Sequence, residues 1–328
     1  MSKIRDVISF SRIHTASLTI SIAIIAAVIS HFDMEYIILF ALFALIFHGA
    51  GFALNNLCDY KYDKGDPYKK DFPLVSGKIN FDNAMMSDII LLMMSYAFGI
   101  FIVKYNIIST IFLSIAFSAG IAYNYLNKRS RSGPYLISIS FSFLIPYIML
   151  DNYTNYPIII LYTLIAFFTM MYQISVSGFI KDIETPQYNM MSKMGMKLIG
   201  GQIVFSKKII YYAASLRYVV FVLGMLLFIF ITYNMHFMYI QIVYIGIYVL
   251  LQGIVAVLSS KMVRNQRWMH NIYLKKMSMI EMFNYLSLVF IFIPLYGIFY
   301  AIFLIIFPVV WFIIFNKIIF NTTIYPQV

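Results

Sequence analysis

Residues 55–78 read NNLCDYKYDKGDPYKKDFPLVSGK, and Asn55, Asp59 and Asp63 recur there every four residues. On a helix that spacing sets three oxygen-bearing side chains along one face. Two carboxylates held side by side raise each other's pKa unless a cation lies between them. Hard oxygen donors suit Mg²⁺, which keeps several waters and binds through one or two carboxylates together with substrate phosphate oxygens. The same spacing also describes an acidic helix end solvated by water and partly neutralised by Lys61 and Lys64. Spacing alone leaves both readings open.

The elements that must position these side chains are membrane helices. With 62% hydrophobic and only 11% charged residues among 328, the chain holds more apolar surface than a water-facing globule can bury. A hydrocarbon core of roughly 30 Å needs about 20 apolar residues per helix. Such runs cover residues 13–30, 36–57, 84–103, 107–126, 134–150, 157–180, 209–232 and 237–258. A last run, 282–315, would be roughly 50 Å long at about 1.5 Å per residue, too long for one untilted crossing, so a kink at Pro294 or Pro308, or a division into two, is expected. The expected fold is therefore all-α, one polytopic integral-membrane domain over residues 1–328. It has nine transmembrane helices, or ten if the last run divides, around a central cavity with its active site on the cytoplasmic side.

Charge placement supplies the orientation. Lys3, Arg5 and Arg12 precede the first span, and most other Lys and Arg residues fall in the connectors after spans two, four, six and eight, whereas the opposite connectors hold only Lys104. By the positive-inside rule the N-terminus and the long connectors are cytoplasmic. The formal charge of +11 then reports topology and attraction to anionic lipid or phosphate rather than a nucleic-acid partner. A single cysteine, Cys58, excludes an internal disulfide. Arg12 and His14 could approach the mouth of the same site, although interfacial anchoring is the simpler reading, and Met190, Met191, Met194 and Met196 read as adaptable packing.

Taken in order, N-x-x-x-D-x-x-x-D, a Lys-rich turn and Pro73-Leu74-Val75-Ser76-Gly77 resemble the UbiA-type membrane prenyltransferase superfamily. In that family a first Asp-rich motif closes the second helix and a K-x-R-P-L-x-S-G-like segment follows. Phe72 stands where the family carries Arg, with Lys69 and Lys70 close by. The run Tyr123-Asn124-Tyr125-Leu126-Asn127-Lys128-Arg129 resembles the family's basic segment after the fourth helix. Lys181-Asp182-Ile183-Glu184 resembles the start of its second Asp-rich motif, and Pro186 takes the place of that motif's second Asp. The resemblance covers roughly residues 12–208.

It implies transfer of an isoprenoid chain from a prenyl diphosphate donor to a hydrophobic or amphiphilic acceptor, lipid or aromatic, within the bilayer. It further implies one Mg²⁺–diphosphate complex on Asn55, Asp59 and Asp63 and a second on Asp182 and Glu184. Asp59, Asp63 and Asp182 are the catalytic candidates; Lys70, Tyr123, Lys128, Arg129 and Lys181 are the candidate diphosphate contacts. Such cations stabilise the charge that grows on a departing diphosphate, and a helix-walled pocket shields an allylic cation from water. Two other readings stand beside this one. A family member that binds a prenyl lipid without turnover would accommodate Phe72 and Pro186. A secondary transporter would need polar groups near mid-membrane, and the near absence of charge within the spans counts against it.

Overall fold

The computed structural model describes residues 2–65, 69–127, 130–181, 183–184, 190–233, 239–264 and 266–320. Apolar composition leaves the backbone to satisfy its own hydrogen bonds, and helices do this within one segment. In chain order they are α1 (Ser2–Phe10), α2 (Ser17–Ile29), α3 (Met34–Asp63), α4 (Phe81–Ile102), α5 (Ile107–Leu126), α6 (Gly133–Ser142), α7 (Leu144–Met149), α8 (Tyr156–Tyr172), α9 (Phe179–Lys181), α10 (Met190–Lys193), α11 (Lys207–Thr232), α12 (Tyr239–Met262) and α13 (His270–Phe320). Among the described residues seven helices are long and apolar enough to cross a bilayer, and two shorter apolar stretches, Ser17–Ile29 and Gly133–Met149, accompany them. The chain divides into two compact units.

The first unit comprises Met1–Tyr125, Phe143–Thr154 and Phe303–Val328. Here α3 packs against α2 and α4, and α2 against α7. Both α2 and α3 bury alanines, including Ala23, Ala26 and Ala27 on one and Ala44, Ala50 and Ala53 on the other, and small residues let helix backbones approach closely. Tyr147 of α7 meets Phe40 and Phe43 with ring centroids 5.9 and 5.1 Å apart, and its Oη donates to the Gly99 carbonyl at 2.8 Å. A Cβ at Gly99 would lie 2.8 Å from side-chain atoms of both Phe43 and Leu113, so a larger residue at this crossing of α4 would displace them. Asn80 begins α4 by accepting the amide protons of Asp82 and Asn83 at 2.9 and 3.2 Å.

The second unit comprises Leu126–Ser142 and Asn155–Ile302. In it α8 packs on α11 and α6, and α11 on α12. A π-helical turn, Gln173–Gly178, links α8 to α9. The connectors contain a small antiparallel sheet that the sequence reading did not anticipate: β1 (Lys197–Ile199), β2 (Gln202–Val204) and β3 (Gln266–Arg267), with Leu198 opposite Ile203 and Gln202 opposite Arg267. Gly200 and Gly201 join the first two strands with φ of 56° and 74°, as a two-residue hairpin with both central residues at positive φ demands. Beneath it Met191, Met196, Ile203, Phe205, Val263 and Tyr273 are buried together.

The long last helix does break, though at neither proline. Gly297 leaves helical geometry at φ 79° and ψ 172°, three residues after Pro294. Glycine, without a Cβ, adopts this positive φ at little steric cost, so the helix breaks there.

Candidate functional site

In the first unit α3 continues to Asp63, beyond its apolar stretch. Thirty residues span about 45 Å, more than a hydrocarbon core of roughly 30 Å, so the helix is long enough to carry its last turns out of the apolar zone. Asn55, Asp59 and Asp63 consequently share one helical face, as their spacing predicts. Asp59 and Asp63 are 7% and 3% exposed. Asn55 Nδ2 donates to Asn124 Oδ1 at 3.1 Å, and Asn124 Nδ2 in turn donates to the Gly51 carbonyl at 3.3 Å. This relay commits the amide nitrogen of Asn55 and leaves its Oδ1 as an electron-pair donor. Asn124 thus positions Asn55, a role that its place in the run 123–129 does not announce.

The Lys-rich turn supplies one cation directly. Lys69 Nζ donates to Asp63 Oδ1 at 2.9 Å, whereas Lys70 is exposed. Tyr123 is half-buried on α5, one residue before Asn124.

Arg12 belongs with this helix end as well, the second of the two readings its place before the first span allows. One guanidinium nitrogen, Nη2, donates to Asn56 Oδ1 at 3.0 Å, and Asn56 Nδ2 donates to the Phe10 carbonyl at 2.6 Å. The guanidinium lies 5.3 Å from the Phe52 ring centroid and 6.0 Å from that of Phe72. Phe72, which stands in place of the family's Arg, therefore lies against a cation brought from the N-terminal segment. Arg12 holds a left-handed backbone, φ 49° and ψ 35°, that costs a non-glycine residue about 1 kcal/mol. Its polar and cation–π contacts offset that cost. Next to it His14 is buried. A crevice lined by Ser9, Phe10, Asn56, Asp63, Phe72 and Leu74 adjoins these groups.

No three His, Cys, Asp or Glu side chains converge into a metal cage among the described residues. Mg²⁺ does not require one. Two buried carboxylates and an amide oxygen on successive turns supply hard donors, and its remaining positions go to water and phosphate. The donor set on α3 fits that ion.

In the second unit Lys181 closes α9 and is half-buried, and Glu184 is exposed three residues on. Asp182, Lys128, Arg129 and Pro186 lie outside the described residues. Inside the spans the expectation of near-absent charge needs correcting. Asp88 on α4 is 2% exposed, with neither carboxylate oxygen hydrogen-bonded among the described residues. Arg217 on α11 and Glu281 on α13 also lie within long apolar helices. Asp88 and Arg217 were readable as lone charges inside apolar runs; Glu281 fell one residue outside the run assigned to the last span.

A family model described as the UbiA prenyltransferase family matches residues 16–280. No curated protein matches the sequence significantly. Among solved structures, a UbiA homologue from Archaeoglobus fulgidus bound to GPP and Mg²⁺ superposes with a TM-score of 0.63 at 14% identity, over 92% of this chain and 99% of that one. A UbiA homologue from Aeropyrum pernix K1 in its apo form gives 0.61 at 13% identity, over 84% of this chain and 96% of that one. A structure described for digeranylgeranylglyceryl phosphate synthase in membranes gives 0.61 at 18% identity, over 93% of this chain and 99% of that one. At such identities the structural likeness is one of fold, and the family model spans most of the sequence. The chain belongs to the UbiA prenyltransferase family.

Proposed function

We propose that this chain, as a single integral-membrane domain, transfers an isoprenoid chain from a prenyl diphosphate to a lipid or aromatic acceptor, with its active site on the cytoplasmic side of nine transmembrane helices around a central cavity. The observation that carries the reading is the α3 face, where Asn55, Asp59 and Asp63 align, Asn124 orients Asn55, and Lys69 meets Asp63 at 2.9 Å. Presence of GPP and Mg²⁺ in the Archaeoglobus fulgidus homologue supports it.

In this reading Asn55, Asp59 and Asp63 hold one Mg²⁺ and Asp182 with Glu184 holds a second. Mg²⁺, when bound, supplies charge neutralisation to the departing diphosphate. Lys69 and Lys70 from the turn, with Tyr123, Lys128, Arg129 and Lys181, orient the diphosphate oxygens by charge-assisted and hydroxyl hydrogen bonds. The allylic C–O bond breaks with its electron pair on the diphosphate, the acceptor's nucleophilic atom forms the new bond to carbon, and the acceptor releases a proton. Apolar helix walls keep water from the cation. A binding-only member would hold the donor without releasing diphosphate. A transporter, for which the buried charges within the spans would be suited, would also leave the donor intact.

The test is incubation of the purified protein with geranyl, farnesyl and geranylgeranyl diphosphates against glycerol-ether and aromatic acceptors, with and without Mg²⁺, and mass analysis of the products. A prenylated product that forms only with Mg²⁺ supports the reading. Intact donor in every combination contradicts it.

A further inference from the structure

Three span ends of the second unit meet at the small sheet. β2 stops at Val204, just before α11 begins at Lys207, and β3 lies between the end of α12 at Met262 and the start of α13 at His270. The sheet therefore sits where one span ends and two begin, at one surface of the bilayer. Trp268 fixes its level: the backbone amide donates to the Gly201 carbonyl at 2.8 Å and ties the hairpin turn to the entry of α13. Tryptophan at a span end marks the boundary between acyl chains and headgroups.

The register gives this sheet two different faces. Directly opposite residues share a face, as do alternate residues along one strand. Leu198 and Ile203 belong to the inner face, where Ile203 is buried with Met196, Phe205 and Tyr273. Lys197, Ile199, Gln202 and Arg267 belong to the outer face, and all four are exposed. Ile199 keeps 59% of its surface accessible, and Met269 beside the entry of α13 keeps 50%. Apolar side chains set among cations match a surface that is anionic above and apolar below.

Charge in this region has one sign. No Asp or Glu occurs between Glu184 and Glu281. Lys197, Lys207, Lys208, Arg264 and Arg267 are exposed, and none of them forms an ion pair among the described residues. Lys207 and Lys208 moreover open α11, where the helix dipole disfavours cations. Span orientation accounts for lysine and arginine in such a connector, but it does not exclude acids, so it leaves their absence unexplained. The fold gathers positive charge without its counter-charge, and the offsetting anions come from outside.

We infer that the outer face of the sheet docks on the bilayer surface and recognises anionic lipid. Lys197, Arg267 and the lysines that open α11 meet headgroup phosphates, and Ile199 dips into the boundary with the acyl chains. Each cation held near an anionic surface is worth about fivefold in binding, so the cluster reads the charge density of the leaflet. The inference stands without the prenyltransferase reading, because it concerns the surrounding lipid and needs no turnover.

The test uses the full chain with Cys58→Ser and Ile199→Cys, labelled with bimane at position 199 and reconstituted in nanodiscs. The discs contain phosphatidylcholine alone or with an equal share of phosphatidylglycerol, each with a trace of lipid spin-labelled at the headgroup. Phosphatidylglycerol is expected to raise quenching by the spin-labelled lipid and to lower quenching by aqueous acrylamide. Adding Lys197→Gln and Arg267→Gln is expected to abolish both changes, with the melting temperature in phosphatidylcholine unchanged. Salt gives the same readout without those substitutions: in 1 M NaCl the screening length falls to about 3 Å, and the label should return to water. Inorganic diphosphate added to the phosphatidylcholine discs separates a free anion from lipid and is expected to leave the label open to acrylamide. A label equally open to acrylamide in both compositions, protection that survives both the double substitution and high salt, or protection by diphosphate without anionic lipid overturns the proposal.

Discussion

Lys69 Nζ and Asp63 Oδ1 lie 2.9 Å apart, so the loop that follows α3 returns a cation to the last acid of the helix that precedes it. Asp63 is almost fully buried, and a buried carboxylate that loses its partner is strongly disfavoured. Lys69→Ala is expected to lower stability by about 2 kcal/mol. Because Mg²⁺ replaces the missing positive charge, it should raise the melting temperature of Lys69→Ala more than that of wild type. Equal metal-induced shifts in the two proteins would show that the ion does not sit at Asp63.

Arg12 joins the N-terminal segment to the same helix end through Asn56, Phe52 and Phe72. Arg12→Ala leaves the Asn56 carbonyl oxygen without this donor and removes both ring contacts, for an expected loss of about 1–2 kcal/mol. Arg12→Lys should recover only part, since an ammonium cannot lie flat on the rings. Thermal unfolding of the three proteins, compared with Phe72→Ala and the double variant, measures the coupling; additive losses would show that Arg12 and Phe72 act independently.

Gly224 of α11 and Tyr248 of α12 mark a close helix approach in the second unit. A Cβ at Gly224 would collide with the hydroxyl and ring of Tyr248, whose Oη donates to the Phe221 carbonyl at 2.9 Å. Gly224→Ala is expected to destabilise the fold by about 1–3 kcal/mol, as overpacking does. Truncating the ring by Tyr248→Ala in the same chain should return part of the loss, which a double-mutant cycle reads directly.

Much of the fold was legible because apolar length alone dictates spanning helices. The continuation of α3 past Leu57 was legible too, since no breaker precedes Gly65 and the four-residue spacing of its oxygens already demanded a helix. The methionines after span six are packing as their chemistry suggests, with Met191 and Met196 buried under the sheet. The sheet itself announced its turn only by Gly200-Gly201, flanked by strands of three residues, too short for alternation to stand out. Which groups Arg12 meets was not legible, because its hydrogen-bond partner is 44 residues away and no local pattern encodes that contact. Between Lys69 and Lys70 the sequence offers two neighbouring cations; only the path of the loop selects Lys69 for Asp63.

The central claim is that the acids on α3 hold the metal-bound diphosphate as it leaves. The most direct measurement is the rate of diphosphate release from geranylgeranyl diphosphate, with acceptor present, as Mg²⁺ is titrated into wild type and Asp59→Ala. Mg²⁺-dependent release is expected from wild type, with a loss of roughly a hundredfold or more in the variant, the scale on which removal of a transition-state electrostatic contact is felt. Release that needs no divalent ion, or that proceeds at the wild-type rate in folded Asp59→Ala, would contradict it.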